Sequence, residues 1–107
     1  MLPIVQQIAT EFKAELEKLY GDELAELILF GSHARGDFHE ESDIDFAVVL
    51  KNPDIRGAPE IFKISPLSTE LGLKYGLMIS TFPISSTRVH NSMQGIFQEI
   101  RKDGISI

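Results

Sequence analysis

The sequence predicts an α+β fold, a small mixed β-sheet packed by helices, and three observations carry that prediction. Two short apolar runs, Leu27 to Phe30 and Phe46 to Leu50, are rich in strand-favouring residues and lie close together in the chain. Apolar residues recur at helical spacing near both termini. A third apolar run, Leu77 to Ile84, follows the second at a distance long enough to hold a helix.

In the first segment, Ile4, Val5, Ile8, Phe12, Leu16, Leu19 and Tyr20 mark one helical stripe, with Glu11, Glu15, Glu17 and Lys18 elsewhere on the wheel. Gly21 is the expected stop. The strand Leu27–Phe30 ends at Gly31-Ser32, and ten residues later Asp43-Ile44-Asp45 opens the second strand. A link that short brings the two strand ends together and makes the strands antiparallel neighbours. Lys51 to Pro59, with Asn52-Pro53-Asp54 and Gly57, reads as a surface loop. A helix is expected from about Glu60 to Gly76, with Pro66 either breaking it or starting a new one. Pro83 places the end of the third strand at a sheet edge or bulge. Met93, Ile96, Phe97 and Ile100 predict a last amphipathic helix, with Asn91 and Gln94 as a capping box and Asp103-Gly104 as its close.

Length and composition bound the function. A chain of 107 residues is read as one domain, 1–107, with a single core. With no cysteine, disulfides and thiolate metal sites are excluded. No segment approaches the ~20 apolar residues that span a bilayer, so a cytoplasmic protein without membrane contact is expected. The net charge of −6 is uneven: residues 1–60 carry thirteen acidic and five basic side chains, and residues 61–107 carry three and five. An acidic surface disfavours long nucleic acids as partners.

The chemistry concentrates between residues 24 and 50. Strand periodicity puts Asp43 and Asp45 on one face and Ile44 and Phe46 on the other. Two converging carboxylates at a buried strand start repel each other unless a cation offsets the cost, and a hard ion such as Mg²⁺, which shares its shell with phosphate oxygens, meets that need. Gly31 lets a ligand approach the backbone, and a short helix from Ser32 through Arg35 would turn N–H groups toward an anion. Other readings fail on spacing. Counted as an EF-hand from Asp37, the glycine position is Ser42 and the last glutamate position is Val48. There is no G-x-x-x-x-G-K-[ST] string. A glycosyltransferase D-x-D would leave the Gly-Ser turn without a role.

The wording G-S-H-A-R-G, followed by S-D-I-D and an apolar strand, resembles the nucleotidyltransferase superfamily that includes DNA polymerase β and the kanamycin nucleotidyltransferases. It is most similar to the minimal nucleotidyltransferases (MNT), and the ending F-Q-E-I-R-K-D-G-I looks like theirs as well. The resemblance implies a polymerase β-like fold and transfer of a nucleotide from a nucleoside triphosphate, most simply AMP from Mg²⁺-ATP. By motif position Asp43 and Asp45 match the catalytic, metal-binding pair, and Gly31 and Ser32 match the phosphate-holding turn. Arg35 is read either as a triphosphate ligand or as a surface partner of Asp37 or Glu41. The resemblance also implies an antitoxin that modifies a tyrosine of a HEPN-domain toxin. An exposed sheet edge would in addition suit pairing into a homo-oligomer.

The sequence departs from that family in one respect. The pattern usually adds a third carboxylate on a later strand, yet no Asp or Glu occurs between Glu70 and Glu99. Ser80 is assigned to the vacated position, and a hydroxyl is the weaker ligand for a hard cation. A nucleotide-binding module that neutralises its partner by binding alone is therefore the alternative. His33, His39, His90, Glu40 and Glu41 are read as solvated, and Ser42 as a turn cap.

Overall fold

The computed structural model describes residues 1–107. Helix α1 (Pro3–Tyr20) leads through a short 3₁₀ turn into strand β1 (Leu24–Phe30), the one-turn helix α2 (Ser32–Arg35) and strand β2 (Ile44–Leu50). Helix α3 (Gly57–Tyr75) then precedes strand β3 (Ile79–Ser85), helices α4 (Ser86–Asn91) and α5 (Gly95–Asp103), and strand β4 (Ile105–Ser106). The sheet order is β3-β2-β1-β4, with β1 antiparallel to β2 and to β4 and β2 parallel to β3. This is the mixed sheet the sequence predicts, and α3 is the crossover that a parallel pair requires.

Period-two alternation gives the sheet two covered faces. Leu27 and Leu29 of β1 and Ile44, Phe46, Val48 and Leu50 of β2 pack with α1 and α3 through Val5, Ile8, Phe12, Leu16, Ile64 and Leu71. On the opposite face Ile28, Phe30, Ala47 and Val49 meet Val89 of α4 and Phe97 and Ile100 of α5. Tyr20 donates to Glu60 and Tyr75 to Glu11, which ties α1 to α3 at two points. Burial, reinforced by Glu60, pushes the Tyr20 phenol well above its ordinary range. No helix is long and apolar enough to cross a membrane.

Several boundaries differ from the sequence reading. The helix α3 starts at Gly57, inside the expected loop, and runs unbroken past Pro66, which sacrifices one backbone bond in an otherwise packed helix. Strand β3 begins two residues later than expected, and it is the edge strand that Pro83 indicated. The predicted Asn91–Gln94 capping box does not form: Asn91 ends α4, and Gln94 precedes α5 while donating its N–H to Ser92 Oγ. Met93 therefore lies outside the helix and is exposed, whereas Phe97 and Ile100 are buried. Ile4 and Leu19, read as part of the α1 stripe, are also exposed because they flank the seam rather than face it.

Candidate active site

The site forms where β2 begins. The Ile44 N–H bonds the Met78 carbonyl at 2.9 Å, pinning this end of β2 to the entrance of β3. Ile44 and Phe46 point into the α1/α3 core, so alternation turns Asp45 to the α5 face with Ala47 and Val49. In register, Asp45 lies between Phe30 of β1 and Ser80 of β3. Asp43, one residue before the strand, is exposed, and its Oδ2 accepts a hydrogen bond from Ser80 Oγ at 3.3 Å. Ser80 thus stands beside both acids, as the strand pattern suggested.

Across from Asp45, β1 ends at Gly31. Its φ of 77° and ψ of −158° lie in a region that side-chain-bearing residues avoid, and any Cβ there would collide with Asp45 Oδ2. The glycine is required twice, by the backbone and by the carboxylate beside it. Its carbonyl accepts the Ala34 and Arg35 N–H groups, which turns the chain into α2 with half-exposed Ser32 at the start. Burial, and then the charge of Asp43, hold the Asp45 carboxyl above its usual range, with Glu99 adding to the effect and His33 and Arg35 opposing it.

Arg35 is held on several sides. Its Nε donates to Asp37 at 3.1 Å and its Nη1 to Glu99 at 2.8 Å, with Asp103 at 3.9 Å. The expected Asp37 pair is present, and two acids of α5 join it. Sequence reasoning missed them because Glu99 lies 64 residues away from Arg35 and sits on no recognised motif.

His33 corrects an expectation. It is buried rather than solvated: its ring stacks on Phe38 at 4.6 Å, and its Nε2 lies 3.2 Å from the Ser42 carbonyl. His39, His90, Glu40 and Glu41 are exposed as read, and Ser42 does cap the turn by accepting the His39 N–H at 2.9 Å.

Nowhere do three or more His, Asp or Glu side chains gather to hold a metal. The two carboxylates at the start of β2 are mutually repelling, and the burial of Asp45 penalises its charge further. That set fits a hard ion that takes its remaining ligands from phosphate and water.

Comparison with known proteins shows the family of this chain. The family model described as nucleotidyltransferase domain matches residues 9–101. A Methanocaldococcus jannaschii protein, MJ0141, whose name assigns it provisionally to the protein adenylyltransferases, is 40% identical over 75 residues, covering 69% of this chain and 73% of the relative. The protein adenylyltransferase MntA of Thermococcus cleftensis is 31% identical over 84 residues, 78% of each chain. Among solved structures, a toxin-antitoxin crystallised with AMP-PNP is similar in fold, with a TM-score of 0.60 at 18% identity over 89% of this chain and 68% of that one.

Proposed function

This chain belongs to the nucleotidyltransferase domain family, and from that premise we propose that it transfers AMP from Mg²⁺-ATP to a tyrosine hydroxyl of a HEPN-domain toxin, acting as the antitoxin. The observation that carries the reading is Asp45 set against the side-chain-free corner at Gly31, with Asp43 near enough for its charge to raise the Asp45 carboxyl. The catalytic roles assigned to Asp43 and Asp45 are to hold magnesium, whose charge, when bound, offsets that of the triphosphate. Gly31 and Ser32 offer backbone to the phosphates, and Arg35 supplies a guanidinium once Glu99 yields to a phosphate oxygen. The reading takes residues 1–107 as one minimal domain in the cytoplasm, with the acceptor brought by another chain.

In the reaction, the acceptor oxygen bonds to the α-phosphorus as the bond to the bridging oxygen breaks and pyrophosphate departs. In-line displacement puts the entering and leaving oxygens on opposite sides of the phosphorus. If the Gly31–Ser32 corner holds the leaving side, the acceptor arrives from β3, where Ser80 stands. A serine there is a poor base, so the acceptor's proton passes to solvent and transfer is expected to be slow. Ser80→Asp should raise the transfer rate by about tenfold or more, as a positioned general base does. The same change should lower the melting temperature in metal-free buffer, because a third carboxylate joins two that already repel each other. A normally folded variant with no gain in rate would remove Ser80 from the acceptor side.

The partner assignment is supported by the MntA relative and by the toxin-antitoxin fold neighbour. The serine beside Asp43 also favours a second reading, neutralisation by binding alone. ATP labelled at the α-phosphate, incubated with this chain and its partner, separates the two. Label on the partner is expected; full neutralisation of an unlabelled partner would establish the second reading instead.

A further inference from the structure

The segment between α2 and β2 carries a buried group that the proposed chemistry leaves unused. His33 is 6% exposed, and its Nδ1 is buried without a hydrogen-bond partner. With the Ser42 carbonyl as acceptor, Nε2 bears a proton, and the buried Nδ1 is left without a partner. That arrangement carries a desolvation penalty that phenylalanine, filling the same space, would avoid. A ring that only packed under Phe38 would gain nothing from its nitrogens.

The gain lies at Ser42. Its peptide leads directly into Asp43, and the loop around it has few other ties: the reciprocal Ser42–His39 turn, the Phe38 ring, the exposed Arg35–Asp37 pair and the bond from Ser80 to Asp43. His33 stands one residue after Ser32, so a single side chain spans from the phosphate corner to the root of the first carboxylate. We propose that His33 is a positioning residue, clamped by Phe38, that sets Asp43 through its hydrogen bond to the Ser42 carbonyl. The inference rests on the reading of Asp43 as a metal ligand. Groups that orient a metal ligand from behind typically change metal affinity by about 10–100-fold, and a bond one peptide removed is expected at the lower end.

The test compares wild type with His33→Phe, which keeps the stack and deletes the donor, and with His33→Gln, which restores a donor at similar reach. Phe38→Leu removes the stack alone. Binding of Mn²⁺ in the presence of ATP is followed by electron paramagnetic resonance, alongside melting temperature and amide exchange at Ile44 in the ligand-free chain. His33→Phe should require about tenfold more Mn²⁺ while melting close to wild type, and His33→Gln should recover most of that loss. A His33→Phe titration that superimposes on wild type, or a folded His33→Gln with no recovery, overturns the proposal. Should His33→Phe fail to fold, His33→Gln and Phe38→Leu decide: a near-normal titration in the first and a weakened one in the second upholds the clamp, and the reverse overturns it. If wild type itself takes up no Mn²⁺ with ATP, the transferase reading fails, and Ile44 exchange judges the positioning role alone. Faster exchange in His33→Phe that His33→Gln restores upholds it; equal exchange overturns it.

Discussion

Asp43→Ala combined with Asp45→Ala should lower nucleotidyl transfer by at least about a thousandfold, which corresponds to ~4 kcal/mol of transition-state stabilisation. Either single change leaves one acid of the pair for the cation; removing both leaves neither, and Glu99 nearby is already held by Arg35. The measurement is label transfer from α-labelled ATP, and transfer that persists in the double variant would sink the assignment. A second readout follows from the raised carboxyl of Asp45. In the unfolded chain this group titrates in the ordinary range, so above both values the folded state bears the cost of holding a charge it disfavours. That cost fades as pH falls through the raised folded value, where the carboxyl protonates. Asp45→Asn should therefore melt roughly 2–5 °C higher than wild type in metal-free buffer at neutral pH, with the advantage shrinking on acidification. A gain in stability together with a loss of activity marks a group held for chemistry rather than for folding.

The parts of this arrangement that were legible in the sequence are those set by local rules. Alternation placed Ile44 and Phe46 in the core and turned Asp45 to the other face, and the short link from Ser32 to Asp43 forced β1 and β2 to run antiparallel. The stop at Gly21 and the strand position of Ser80 came from the same periodicities. What escaped depends on contacts distant in sequence or on weak local signals. The two-residue β4 pairs with β1 from the far end of the chain, and nothing in Ile105–Ser106 marks a strand by itself. Helix α4 carries a single buried apolar residue, Val89, too few to show a period. His33 looked like a solvated loop residue because its burial comes from Phe38 folding back over it. Arg35 resisted assignment for a related reason, since two of its three acidic partners lie on α5.

Gly31→Ala should be the most damaging single substitution at a position that makes no polar side-chain contact. The left-handed φ of 77° with ψ at −158° costs an L-residue on the order of 1–3 kcal/mol, and the new Cβ would in addition drive into Asp45 Oδ2. Together these give a destabilisation of about 3 kcal/mol and a melting temperature lower by on the order of 15 °C. Activity should fall further than stability, because the easiest relief of the collision is rotation of the Asp45 carboxylate out of its place beside the corner. The two contributions can be separated. In Gly31→Ala with Asp45→Ala the collision is gone while the backbone strain remains, so the double variant should be more stable than the sum of the single changes predicts. A double-mutant cycle showing no coupling, or a Gly31→Ala chain that melts like wild type, would mean that the carboxylate does not sit against this corner. The seat for metal and triphosphate would then lose its geometric basis.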